Sequence, residues 1–321
     1  MCRRVVARRC EMLNRVFKWR GVVLAAALIG LAGAAFAQVE GGKPALAVCM
    51  SEDNAPLSMA RKGQLSGFDV KMAEAVAQEL GRPLRLVPFE SELEQDANFA
   101  IEVNALLSAG VCDLVSGFPL LATDLGQPGR LKAKPPDYPG AKRPRDRADV
   151  TLGNVVASHP YQGMALQLVQ REDAPRANGL GELRDQKIGA VAGTLEGTLI
   201  ATYQGGALLP DMVSMGKLDD RWAALESGKV DAMLMPSTAW DVYRTRAAAP
   251  LRLRAGPPQS LGINVGWVAL AGKPELIEAV NRVAAREAQL QQWAQDVGLQ
   301  RLPPTEPAVA RELSLAALLK P

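Results

Sequence analysis

Histidine is nearly absent: the 321-residue chain holds one, His159. That excludes metal sites built from several histidines and leaves a histidine triad one imidazole to draw on, so both are set aside. Glycine patterns that cradle phosphates, G-x-x-x-x-G-K-[ST] and G-x-G-x-x-G, are missing as well, which argues against nucleotide chemistry. Cysteine is scarce. Of four, Cys2 and Cys10 lie in the N-terminal leader, and the remaining Cys49 and Cys112 are too few for a structural zinc site. Long apolar runs are also lacking: Gly21–Ala34 falls short of the ~20 residues that span a bilayer. No metal and no cofactor is therefore expected, and no catalytic residue is assigned. Enzymatic chemistry would have to rest on carboxylates such as Glu52, Asp53, Asp69 and Asp124.

What is present begins with an export signal at residues 1–37. Arg3, Arg4, Arg8, Arg9, Arg15, Lys18 and Arg20 form a basic start, and Ala35-Phe36-Ala37 is a small-residue cleavage site before Gln38. Translation from Met12 would keep the same signal. The residue directly after the cleavage site is Gln38, not cysteine, so a lipid anchor is not expected, and the periplasm is the expected location. Loss of seven basic residues turns the overall balance of +3 acidic in residues 38–321, which speaks against a nucleic-acid partner.

The stretch Ala45–Gly81 organises the remainder. Leu46-Ala47-Val48-Cys49 reads as a strand buried on both faces, followed by the polar loop Ser51-Glu52-Asp53-Asn54. Gly67 permits a turn into a helix on which Phe68, Met72, Ala73, Val76 and Leu80 recur at helical spacing, and Gly81 with Pro83 stops it. Leu84–Phe89 is a second strand. A helix ending at Gly110 precedes the strand Cys112–Ser116, and the run Leu225–Asp231 repeats that helix–Gly–strand design. Two units of one design imply two lobes. An exported chain with two cysteines invites a bridge, yet a three-residue offset between parallel strands would exceed the ~7 Å Cα limit. Cys49 and Cys112 are thus either a disulfide or two buried thiols.

Gln127–Arg147 carries Pro128, Pro135, Pro136, Pro139 and Pro144 among seven basic residues, a spacing that no helix or central strand tolerates. It reads as an exposed loop, either a solvated insertion or a basic docking surface. Met164–Val169, Lys187–Val191 and Val230–Met235 are further strands, and Thr194 or Thr198 can cap the helix after Gly193. Gly262–Leu270 and the helices of Lys273–Trp293 come next, then a Pro303–Pro307 linker and a tail helix with Leu313, Leu315, Leu318 and Leu319.

The run strand–loop–Gly67-Phe68-Asp69-Val70–helix–strand, together with the order of later segments, resembles periplasmic solute-binding proteins of family 3, the amino-acid type. The resemblance covers most of Ala45–Leu299 outside the insertion. It implies an α/β, two-lobed fold, each lobe a mostly parallel sheet flanked by helices, with two hinge crossovers. Lobe 1 would take residues 38–158 and 262–300, lobe 2 residues 159–261, and a tail residues 301–321. It also implies a non-enzymatic, monomeric binder that captures a small polar solute in an interlobe cleft for an ABC importer by hinge closure. Glu52, Asp53, Phe68, Asp69, Ser116, Phe118, Gly193, Thr194 and Met235 would line that cleft.

Two departures bear on the ligand. Asp124 stands near the place of the family's carboxylate-clamping Arg, and Met235-Pro236-Ser237 occupies the region of its amine-holding Asp. An ordinary α-amino acid is therefore a poor fit, whereas Asp53 and Asp69 favour a cation or an amine. The motifs around Cys49–Pro56 and Gly110–Asp113 also resemble a divergent branch associated with periplasmic quinoprotein alcohol (methanol) dehydrogenases. That branch would make the chain an accessory protein, docking through its basic loop. A carboxylate-using periplasmic dehydratase is a third option.

Overall fold

The computed structural model describes residues 43–91, 98–129, 131–216, 219–246 and 251–315. The leader, Arg130, Leu318 and Leu319 lie outside them.

Strand β1 (Leu46–Ser51) is buried from Leu46 to Met50, as its unbroken apolar run requires. The segment after it is more ordered than a polar loop. Three short antiparallel strands form there: β2 (Asp53–Asn54), β3 (Ser58–Arg61) and β4 (Gln64–Ser66). Lys62 and Gly63 both take positive φ, which closes the β3–β4 hairpin in two residues. At Gly67 a Cβ would stand 2.4 Å from the Leu57 carbonyl oxygen, so only glycine lets the chain enter α1 (Phe68–Leu80). The helix ends on Gly81 at φ 59°, whose N–H returns to the Ala77 and Gln78 carbonyls. Next come β5 (Leu84–Phe89), α2 (Phe99–Ser108), capped by the Asn98 side chain, and β6 (Leu114–Pro119).

Cys49 and Cys112 are bridged, with Cα atoms 5.7 Å apart. The offset argument fails because β6 begins only at Leu114. Cys49 pairs in register with Val115, while Cys112 lies in the irregular segment between Gly110 and β6 and takes no part in the ladder. It joins the buried cluster of Cys49, Val87, Val103 and Leu106.

The basic segment also departs from a solvated insertion. β7 (Lys132–Ala133) pairs with β8 (Val150–Thr151), and Ala133, Pro135 and Pro136 are buried. Arg147, 9% exposed, donates to the Pro135 and Lys142 carbonyls and pairs with Asp137. Lys132, Lys134, Lys142, Arg143 and Arg145 remain exposed on this pinned frame.

β9 (Val155–Ala157) leads to the long β10 (Gln162–Arg171), then β11 (Ile188–Val191), α3 (Leu195–Thr202), β12 (Met212–Met215) and α4 (Arg221–Glu226). β13 (Ala232–Pro236), α5 (Ser237–Arg246) and β14 (Leu253–Ala255) complete this half. The return is β15 (Gln259–Leu270), with α6 (Pro274–Ala284) and α7 (Glu287–Val297) after it.

The main sheet runs β12-β11-β13-β10-β15-β6-β1-β5. Its outer strands form two parallel sets, β5-β1-β6 and β13-β11-β12. Between them β10 and β15 run antiparallel to each other and to their neighbours. These are the two crossovers of a two-lobed α/β fold. Each set has a core on both faces. In the first, α1, α6 and α7 cover the face of Leu46, Val48 and Leu114, and α2 covers that of Cys49 and Val115. The expected tail helix does not form in residues 311–315, which are irregular.

Candidate functional site

The α1 N-terminus, the carboxyl ends of β1 and β6, the start of the first crossover and the later part of the second converge on one polar cluster. Such strand ends are where open α/β sheets hold ligands. Asp69, the second residue of α1, is fully buried. Its Oδ1 accepts a 2.7 Å hydrogen bond from the Tyr161 hydroxyl, which arrives just before β10. Its Oδ2 is buried with no hydrogen-bond partner. Ser116 Oγ on β6 and Trp267 Nε1 on β15 are likewise buried, the Ser116 hydroxyl beside Asp69 and the Trp267 indole beside the Tyr161 hydroxyl. Burial pushes the Asp69 carboxyl up to about 7, against the lowering influence of the Tyr161 and Ser116 hydroxyls. The same burial, with the Asp69 charge beside it, holds the Tyr161 phenol well above its ordinary value.

Gly117 packs between Asn54 and Asp69. This residue takes φ 68°, and a Cβ here would meet Asn54 Nδ2 at 3.0 Å and Asp69 Oδ2 at 3.4 Å. A side chain would press on the half-buried Asn54 amide and on the carboxylate oxygen. Glu52 and Asp53 flank Asn54, half-buried and exposed. The arrangement is an acidic strand end above a buried carboxyl with an open acceptor, suited to a hydrogen-bond donor of positive charge.

The other sequence-predicted residues divide. Phe68 is fully buried, stacked on Tyr161 with ring centroids 5.5 Å apart and edge-on to Trp293 at 6.4 Å. Its ring supports the Tyr161 side of the cluster. Phe118 faces the other way: it stacks on Phe99 at 6.0 Å in the core beneath α2, so core neighbours take the contact expected for a ligand. A bulge at the left-handed Gly117 breaks the alternation along β6: Leu114 and Ser116 share one face, and Phe118, which strict alternation would place with them, joins Val115 on the other. On the second parallel set, Gly193 is exposed at φ 79°, and Thr194 Oγ1 is used at the α3 N-cap, donating to the Val191 carbonyl and accepting from Gly197 N–H. Met235 is buried in the core with Met215, Met233 and Trp240. No hydrogen bond or ring contact among the described residues joins these three to the Asp69 cluster. Asp124 lines a surface depression with Asn98, Asn104 and Thr123.

Sequence reasoning misses Tyr161, Trp267, Asn54 and Gly117 as site residues. A signal is present for two of them: Tyr161 opens the first crossover and Trp267 lies in Gly262–Leu270, and crossovers border the cleft of a two-lobed fold. Among the described residues no group of three or more His, Cys, Asp and Glu could hold a metal ion, and no helix is long and apolar enough to cross a membrane.

Comparison with known proteins agrees with this layout. Residues 46–106, which build β1 through most of α2, match the family model of bacterial extracellular solute-binding proteins, family 3. No curated protein matches the chain in sequence. Among solved structures, an ancestral cationic amino acid solute binding protein superposes with TM-score 0.55 and 21% identity, covering 79% of this chain and 93% of its own. A mutant of the arginine-binding protein ArgBP from T. maritima gives TM-score 0.50 and 20% identity over 78% and 93% of the two chains. A histidine kinase sensor domain with similarity to periplasmic binding proteins gives 0.52 and 16%, over 81% and 98%. At these identities the likeness is one of fold.

Proposed function

We propose, for a chain whose residues 46–106 carry the family-3 solute-binding sequence and whose fold is that of two-lobed binding proteins, that it captures a small organic cation, an amine or a guanidinium. Capture occurs at the acidic strand end of Glu52, Asp53 and Asn54 above Asp69, in the bacterial periplasm, without chemical conversion, and the solute is handed to an ABC importer. The observation that carries this reading is the fully buried Asp69 carboxyl, whose Oδ2 has only the Ser116 hydroxyl beside it and lies against a residue that has no side chain. A ligand N–H would satisfy it, and an unpaired buried acceptor is otherwise costly by ~1–3 kcal/mol. Two of the similar structures are named for binding cationic amino acids or arginine, which fits the same charge.

A thermal-shift screen of residues 38–321 tests this. Arginine, a diamine, glutamate, a neutral amino acid and a sugar form the panel. A ligand at ~100 times its dissociation constant adds ~2.7 kcal/mol of stability, a shift of several degrees. The cations should raise the midpoint and glutamate should not. A response confined to anions or sugars contradicts the assignment.

The pinned basic surface favours a second reading, docking to an acidic periplasmic partner such as a quinoprotein dehydrogenase. Its exposed cations sit on a frame fixed by Arg147, which suits recognition of a protein surface. Co-purification with such a dehydrogenase that is lost in a Lys142→Glu/Arg143→Glu/Arg145→Glu variant would support it, and retention would contradict it.

A further inference from the structure

We propose that the C-terminal segment 299–315 is a strap across the two crossovers that holds the two parallel sets at one angle while docked, so that opening about the hinge requires the strap to undock.

The strap crosses the molecule from one set to the other and back. Leu299 is anchored in the core beneath α1 and α7, on the first set. The next residue reaches the second set, where Gln300 N–H donates at 2.8 Å to Asp241 Oδ2 on α5. The strap then lies on both crossovers. On β10, Leu302 N–H donates to Gln162 Oε1 at 3.1 Å, and Gly163 N–H donates to the Leu302 carbonyl at 2.9 Å. On β15, Asn264 is fully buried, and both ends of its amide engage the strap. Its Nδ2 donates to the Thr305 and Ala308 carbonyls at 2.8 and 3.0 Å, and its Oδ1 accepts from Thr305 N–H at 2.8 Å. Ala310 then pairs beyond β6, donating to the Leu120 carbonyl at 3.0 Å and accepting from Ala122 N–H at 2.8 Å. Finally Ser314 N–H donates at 2.8 Å to the Leu261 carbonyl, while Leu313 and Leu315 pack on the core of the second set.

The covered point is where a hinge would bend. The β10–β15 ladder slips there: Gly163 opposes Asn264, but Ala165 opposes Ser260. Gly262, at φ 65°, lies in the extra length of β15, and its missing Cβ would meet Ser314 Cβ at 2.9 Å. Gly163 is similarly closed against the strap, since a Cβ there would stand 2.9 Å from the Pro303 carbonyl oxygen. A bulge with a left-handed glycine is the most deformable point of the pair, and strap backbone packs on it. Domain closure changes dihedral angles at a few hinge residues. Here such a change must break the Asn264 and Gly163 hydrogen bonds together, because one segment makes both.

The test needs no ligand, so it stands or falls separately from the solute assignment. Spin labels at Gln78→Cys on α1 and Lys229→Cys after α4, both exposed positions, report the separation of the two sets by pulsed dipolar spectroscopy. The protein with its strap intact should give one narrow distance distribution. Leu313→Ser/Leu315→Ser, which frees the far end and leaves Asn264 in place, should broaden it or add a second distance. A broad or two-state distribution in the intact protein overturns the proposal outright, and that measurement does not depend on how the variant folds. A narrow, unshifted distribution in a folded variant overturns it too.

Discussion

Asp69→Asn removes a buried carboxyl whose charge the fold does not compensate, and its effect can be worked out in advance. The group moves from an ordinary 3.8 to about 7 on folding. Between those values the folded protein keeps a proton that the unfolded chain has released. Wild-type stability therefore falls as pH rises from about 4 to about 7 and levels above that. At ~1.4 kcal/mol per pH unit of the gap, the full span is roughly 4 kcal/mol, a ceiling for this group. Asparagine has the same shape and no charge. Its oxygen can accept from Tyr161 and its amide can donate to Ser116 Oγ, so both faces of the site stay paired. The assay is urea unfolding of residues 38–321 from pH 4 to 8 for both proteins. Asp241 is also raised by burial, offset in part by Gln300 N–H and Arg244, and contributes to each curve alike. The difference curve isolates Asp69: the variant should gain on wild type with rising pH and hold its advantage at pH 8. A difference that is flat across the range refutes the reasoning.

The same geometry sets other outcomes. The Cys49–Cys112 bridge closes a span of 63 residues, so Cys49→Ala/Cys112→Ala should lower stability by ~4 kcal/mol in urea titrations, matched by wild type under reducing conditions. Equal stability of oxidised and reduced wild type would contradict it. Phe118→Ala should cost ~3–5 kcal/mol of stability as a core truncation and leave affinity for a bound cation unchanged. A loss of affinity with little loss of stability would return Phe118 to the site. Arg147→Ala should release the basic frame, seen as faster proteolysis within 131–149 while the main unfolding midpoint shifts less. Cleavage at the wild-type rate would show that other contacts hold the frame.

The fold is legible where local rules decide the structure. The strand Leu84–Phe89, the stop of α1 at Gly81 and the Thr194 cap all rest on short-range chemistry, and they stand as the sequence implies. Spacing argues against the bridge because it places Cys112 inside a strand; the irregular path at Cys112 is set by where β6 starts, which residue types there do not specify. Phe118 is misassigned for a related reason. Strict alternation along β6 would put it beside Ser116; the bulge at the left-handed Gly117 turns it to the other face, a break that the residue types do not announce. The basic segment reads as loop because its anchor is one arginine among seven basic residues, and only tertiary packing distinguishes Arg147 from the exposed ones. Of the candidate site, Asp69 and Ser116 are visible through motif position. Tyr161 and Trp267 come from distant crossovers, and their convergence on Asp69 depends on how β10 and β15 pair.

The central claim, capture of a small organic cation at the acidic strand end, is tested most directly by calorimetric titration of arginine and a diamine into wild type and Asp53→Asn. Asp53 is exposed, so its replacement leaves the core untouched. The account predicts one-to-one binding by wild type and a several-fold weaker affinity in the variant, the factor that ~1 kcal/mol represents. No heat with either cation, or equal affinity in the two proteins, would contradict it.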